Sequence, residues 1–228
     1  MQNRALMIFA AGFGTRMKAL TIDRPKPMIE VADRPLIDHA LDLAKAANCA
    51  PIVANLHYKA EVLEQHLTPK GVISVVENPD ILETGGGLRN ALPALGADPV
   101  FTMNADAIWA GPNPLLLLAA AWQPDQMDAL LMTVPVAQTV GHEGSGDFTL
   151  SNDGALTRGP GLVYGGVQII KTEGLGGIKD RAFSLNLLWD QMLKDNRLFG
   201  LRYPGRWCDV GHPGGIVLAE KMLRDADV

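Results

Sequence analysis

The sequence predicts an α/β fold built on a mostly parallel sheet with helices on its faces. Three observations carry this. Ala5 to Ala11 is an almost wholly apolar run that stops at Gly12-Phe13-Gly14, as a central strand buried on both faces would. The first half then alternates strand, helix, strand, helix, strand, the pattern of a parallel sheet with crossover helices. The chain also has no internal repeat and no low-complexity linker, so the economical reading is one domain over 1–228. Residues 1–135 form its doubly wound half, and 136–228 a mixed part that completes the site.

Each element has its own warrant. Pro35 opens a helix in which Leu36, Ile37, Ala40, Leu41 and Leu43 share a face. Pro51 to Ala54 is the second strand, Lys59 to Leu67 a helix and Val72 to Val76 the third strand. Thr84 to Leu92 is a helix entered through Gly85-Gly86-Gly87. Pro99 to Met103 is a strand running into Asn104-Ala105-Asp106. Leu115 to Trp122 is a buried helix and Ala129 to Val134 a strand. The character then changes. Asp147–Leu150 and Ala155–Thr157 flank Asn152-Asp153-Gly154, a hairpin signal. Leu162 to Ile170 is strand-like, Phe183 to Leu193 helical, and Val217 to Leu223 a closing helix.

Composition narrows the function. The chain has 228 residues, of which 47% are hydrophobic and 20% charged, enough for a sizeable core and unlike a disordered chain. A net charge of -5 disfavours sequence-independent nucleic-acid binding, which needs clustered Lys and Arg. The longest apolar run, Leu115 to Trp122, is far short of the ~20 residues of a spanning helix. Met1 to Arg4 carry no secretory pattern. The two cysteines, Cys49 and Cys208, are far apart and read as reduced thiols. The expectation is a cytoplasmic protein with no nucleic-acid or membrane partner.

Ligands of open α/β sheets sit beyond the carboxyl ends of the strands, so the loop after the first strand is suspect. It reads Ala10-Ala11-Gly12-Phe13-Gly14-Thr15-Arg16-Met17, followed by Arg24-Pro25-Lys26-Pro27. Glycines let backbone approach a phosphate and offer it N–H groups. Arg16 adds a fork of donors, and Lys26 a point charge in a loop stiffened by prolines. A triphosphate needs both. A P-loop would require Gly-Lys followed by Ser or Thr, which is absent here. A dinucleotide fingerprint would have a third glycine at Met17 and an acid at Asn55.

Leu6 to Pro27 resembles the signature of the sugar-1-phosphate nucleotidyltransferases, or sugar-nucleotide pyrophosphorylases. Three later segments fit that family in order: Leu82-Glu83-Thr84-Gly85-Gly86-Gly87, Asn104-Ala105-Asp106 and Trp207-Cys208-Asp209-Val210-Gly211. The compact layout without a C-terminal β-helix extension, the Glu83-Thr84-Gly85-Gly86-Gly87 turn and the segment Gly144-Ser145-Gly146-Asp147-Phe148 most resemble the N-acetylmuramate 1-phosphate uridylyltransferases. Short mannose-1-phosphate guanylyltransferases are near neighbours, and a nucleotide-sugar glycosyltransferase is the rival architecture.

The resemblance implies a Rossmann-like sheet of the nucleotide-diphospho-sugar transferase type. It also implies small-molecule substrates, an NTP (UTP favoured) and a sugar 1-phosphate, in a monomer or homodimer. It places Ala10, Ala11, Gly12, Gly14, Thr15, Arg16, Lys26, Gly85 and Gly86 on the nucleotide, and Arg16, Lys26 and Asp106 at the reaction. Magnesium would be held by Asp106, at a strand end, and Asp209, in a Gly-bounded turn between the last strand and helix. Glu83, Asn104, Gly146, Asp147, Arg158 and Gly166 would meet the sugar. Two departures stand out: Ala19 replaces a common proline, and Thr157-Arg158-Gly159-Pro160 replaces a Glu-Lys-Pro whose lysine holds the sugar phosphate. Arg158 is the candidate substitute for that lysine. The histidines lack metal-ligand spacing. Trp109 reads as packing, with a position from which it could border the pocket.

Overall fold

The computed structural model describes residues 4–226, so the expectation for Met1 to Asn3 lies outside the described residues. In chain order the strands are β1 (Leu6–Phe9), β2 (Glu30–Val31), β3 (Arg34–Pro35), β4 (Ile52–Leu56), β5 (Ile73–Val76), β6 (Val100–Asn104) and β7 (Ala107–Ala110). Then come β8 (Ala129–Pro135), β9 (Thr139–Val140), β10 (Phe148–Leu150), β11 (Leu156–Arg158), β12 (Leu162–Ile170), β13 (Leu198–Arg202) and β14 (Arg206–Asp209). The helices are α1 (Leu36–Ala46), α2 (Ala60–Leu67), α3 (Glu83–Leu95), α4 (Pro114–Ala121), α5 (Asn186–Lys194) and α6 (Pro213–Ala226).

A nine-stranded sheet runs β11-β10-β12-β6-β1-β4-β5, with β8 on β12 and β13 on β8. β6, β1, β4 and β5 are parallel, and β12 is antiparallel to both β6 and β8. Successive side chains of a strand point to opposite faces, and the core divides accordingly. Leu6 and Ile8 pack with Ile37 and Leu41 of α1, Leu63 and Leu67 of α2, and Leu115 and Leu118 of α4. Met7 packs on the other face with Leu88, Ala91 and Leu95 of α3 and Leu188, Trp189 and Met192 of α5. The result is a helix–sheet–helix sandwich, the expected fold class.

Three helices differ clearly from the expected bounds, and α6 runs over Pro213–Ala226 rather than Val217 to Leu223. α3 continues through Pro93 and ends where Gly96 takes a left-handed conformation, φ 58°. α5 begins at Asn186 rather than Phe183, because the 183–185 backbone is committed elsewhere. Phe183 O accepts from the Gly85 and Gly86 amides, and Leu185 N donates to Thr84 Oγ1.

A three-stranded sheet, β7-β14-β9, has no counterpart among the expected elements. It packs under α6 around Met17, Ile108, Cys208, Val210, Ala219 and Met222. Asp209 is therefore the last residue of β14, not part of a free turn. Antiparallel pairing sets Asp209 against Ala107, and Val210 N donates to Asp106 O at 3.0 Å.

Candidate active site

Two clefts open beyond the carboxyl ends of β1, β4 and β6. The first encloses about 670 Å³ including its mouth, and Ala10, Ala11, Gly12, Lys26, Asn55, Glu83 and Asp106 line it. The second encloses about 640 Å³, and Asp147, Arg158, Tyr164, Asn186 and Trp189 are on its wall. Phe9, Thr84 and Asn104 belong to both, so the clefts share a wall.

The loop after β1 depends on Gly14. It sits at φ 63°, and a Cβ there would lie 2.8 Å from Lys26 Cβ. Only glycine allows both the left-handed turn and this closeness. The chain then enters a short 3-10 segment, Thr15–Thr21, with Arg16 exposed and Met17 buried. Lys26 leads a second short turn, where flanking Pro25 and Pro27 restrict the backbone. Its side chain is 11% exposed, and Nζ donates to Asp106 Oδ2 at 2.8 Å.

Because β7 pairs with β14, Asp209 lies beside this ion pair. Burial pushes the Asp209 carboxyl above the ordinary carboxylate range, and the neighbouring Asp106 charge pushes it further. Lys26, Arg16 and His142 pull in the opposite direction. Arg16 Nη1 and the Asp209 carboxylate oxygens all lie close to where a Cβ on Gly211 would be, at 3.3, 3.0 and 3.2 Å. Lys26, Arg16, Asp106 and Asp209 are therefore brought together. Two repelling carboxylates fit a hard cation, since magnesium takes one or two carboxylates along with phosphate oxygens and water. Among the described residues no group of three or more His, Cys, Asp and Glu gathers as a metal cage. A cation here would take its remaining ligands from substrate and water.

Other expected residues are placed differently. Ala10 lines the first cleft, but its N–H donates to Asn55 Oδ1 at 2.9 Å. Gly85 and Gly86 are buried inside α3, with their amides on Phe183 O at 2.8 and 3.1 Å. A Cβ on Gly85 would lie 2.3 Å from the Phe183 ring, and one on Gly86 2.5 Å from Arg181 O. Both make room for the chain itself. Gly86→Ala is expected to cost about 1–3 kcal/mol through overpacking. For a chain of this size, each kcal/mol is about 2–4 °C of Tm. Thermal denaturation without nucleotide checks this, since a role confined to nucleotide binding would leave that Tm in place.

Glu83 begins α3 at φ 57°, exposed and on the wall of the first cleft. Gly146, at φ 100°, packs against Gly161 and Leu162. Gly166, at φ 88°, lies where β12 shifts register, and its missing side chain makes room for Asn104. The adjacent Gly165 makes room for Trp109, which is packed with Tyr203 and Trp207 and belongs to neither cleft. Arg158 lines the second cleft and not the one holding Lys26 and Asp106.

Phe9, Asn186 and Trp189 on the cleft walls, and Glu77 behind them, carry no signal in the sequence that marks them as site residues. Asn55 was visible as a polar residue ending an apolar run, but it served only to exclude a dinucleotide site.

The profile of the MobA-like NTP transferase domain matches residues 6–146. The chain is 42% identical over 236 residues to an N-acetylmuramate alpha-1-phosphate uridylyltransferase of Caulobacter vibrioides, covering 96% of this chain and 97% of that one. This chain belongs to the sugar-1-phosphate nucleotidyltransferases. A second protein with the same enzyme name, from Neisseria meningitidis serogroup B, is 32% identical over 215 residues, with 90% and 92% covered. A crystal structure of a putative glucose-1-phosphate thymidylyltransferase from Bacillus anthracis superposes with a TM-score of 0.77. It is 17% identical and covers 97% of this nucleotidyltransferase and 95% of its own chain, a likeness of fold. No helix among the described residues is long and apolar enough to cross a membrane.

Proposed function

We propose that this nucleotidyltransferase moves the uridylyl group of UTP to N-acetylmuramate 1-phosphate, with magnesium, and releases pyrophosphate. The observation that carries the reading is the cluster of Lys26, Asp106 and Asp209 beside two clefts that share a wall. The names of the two uridylyltransferase relatives support the choice of base and sugar.

A phosphate oxygen of the sugar phosphate attacks the α-phosphorus as the bond to the β-phosphate oxygen breaks. The nucleophile is already an anion, so no side chain has to remove a proton. Positioning and charge neutralisation then supply most of the acceleration. Gly12 and Gly14 shape the loop that would receive the triphosphate. Lys26 and Arg16 would hold it and stabilise charge on the leaving pyrophosphate. Asp106 and Asp209 would hold the magnesium, which when bound supplies Lewis-acid polarisation of phosphoryl oxygens. Asn104, at the shared wall, and Asp147 would orient the sugar.

The test is pyrophosphate release, with product masses, over four NTPs and the 1-phosphates of N-acetylmuramate, N-acetylglucosamine, glucose and mannose. Turnover confined to UTP with N-acetylmuramate 1-phosphate is expected. Preference for GTP with mannose 1-phosphate would reassign the specificity, and no turnover with any pair would sink the reading.

A further inference from the structure

The second cleft holds a cation that the transfer chemistry does not require. Arg158 ends β11 with its guanidinium carbon 4.8 Å from the Phe148 ring centroid and 5.8 Å from that of Trp189. The platform is fixed from behind. Trp189 Nε1 donates to Gln168 Oε1 at 2.9 Å, and Gln168 Nε2 to Thr102 Oγ1 at 3.0 Å. Phe148, Gln168 and Thr102 are fully buried.

The edge of the guanidinium is oriented as well. Nε and Nη2 donate to Asp190 Oδ1 at 3.2 and 2.8 Å, and Nη2 also to Asn186 Oδ1 at 2.8 Å. None of these bonds uses Nη1, and the side chain keeps 39% of its exposure. A stacked guanidinium with unspent N–H groups is suited to an oxyanion.

Its position decides which oxyanion. Phosphates have Lys26 on the wall of the first cleft and Arg16 beside Asp209, and Arg158 does not line that cleft. A sugar 1-phosphate lying across the shared wall, with its phosphate at Lys26 and Asp106, would turn its far ring atoms toward Arg158. Asp147, also in the second cleft, spends Oδ2 on the Tyr164 amide at 2.9 Å, which leaves Oδ1 for a hydroxyl.

We propose that Arg158 is a specificity-determining residue that reads a carboxylate carried on the sugar ring, such as the lactyl carboxylate that N-acetylmuramate has and N-acetylglucosamine lacks. This rests on the function proposed above. It assigns Arg158 to the sugar's acid group in place of the phosphate contact inferred from the missing lysine.

The experiment compares N-acetylmuramate 1-phosphate with its neutral lactyl carboxamide, each with UTP, on the wild-type enzyme, Arg158→Gln and Arg158→Lys. The wild-type enzyme is expected to favour the carboxylate in kcat/KM by roughly ten- to hundredfold, as for a hydrogen bond to a charged group. Most of that should lie in KM. In Arg158→Gln the ratio should fall to about one. Arg158→Lys, which keeps the charge without the fork, should fall between them.

Loss of turnover on both sugars alike, with the ratio preserved, would mean a phosphate or scaffold role and would overturn the proposal. So would a wild-type enzyme indifferent to the carboxylate. Failure of the underlying reading looks different: the wild-type enzyme would turn over neither sugar with UTP while accepting another pair.

Discussion

Replacing Asp106 with asparagine is expected to lower turnover by about a hundredfold to a thousandfold, the usual cost of removing one preorganised charge partner at a reacting centre. The residue lies in the two-residue link between β6 and β7, where the large sheet hands over to the small mixed one. Its carboxylate therefore meets Lys26 of the short second turn and lies near Asp209 at the end of β14.

Asparagine keeps the shape and can still accept from Lys26, but it offers a cation no charge. Its effects on stability oppose one another. Lys26, 11% exposed, loses its counter-charge, while Asp209 loses a repulsive neighbour. Activity should thus collapse while Tm moves little, with pyrophosphate release and thermal denaturation as the two readouts. More than a tenth of the wild-type rate remaining would remove Asp106 from the reacting centre.

What the sequence could and could not reveal follows a physical division. Elements with local signals were legible. β12 matches its expected bounds, Leu162–Ile170, and the Asn152-Asp153-Gly154 turn joins β10 to β11 as read. The short strands of the minor sheet, two residues in β9, carry too little periodicity to be read alone. Their pairing is nonetheless what carries Asp209 to Asp106.

Glycines posed a different limit. A sequence shows that a side chain is absent, not what fills the space. At Gly14 the occupant is Lys26, a site residue, but at Gly85 it is Phe183, from a distant part of the chain. Arg158 could be seen as a cation in an unusual segment. Its place outside the cleft of Lys26 and Asp106 depends on how β10, β11 and α5 stack, which no local pattern encodes.

Glu77 shows how the loop after β1 is held from behind, and its replacement has the largest expected effect on stability. Only 1% of it is exposed, and both carboxylate oxygens accept. Oε1 takes the Asn55 Nδ2 donor at 2.7 Å, and Oε2 the Leu82 amide at 2.7 Å. Asn55 Oδ1 in turn accepts the Ala10 amide, which fixes the orientation of the Asn55 amide. One buried acid thus ties the root of the Gly12 loop to the residue that opens α3 beside Glu83.

Glu77→Ala strands two buried donors, at about 1–3 kcal/mol each. Glu77→Gln retains one acceptor and turns its own N–H₂ toward the other donor, so it too should cost about 1–3 kcal/mol. Chemical denaturation of the two variants tests the ordering, with Ala the less stable. The functional signature is a raised KM for UTP in Glu77→Gln at temperatures where it stays folded, since the loop that would receive the triphosphate loses its anchor. A variant that denatures earlier but keeps the wild-type KM would confine Glu77 to the core.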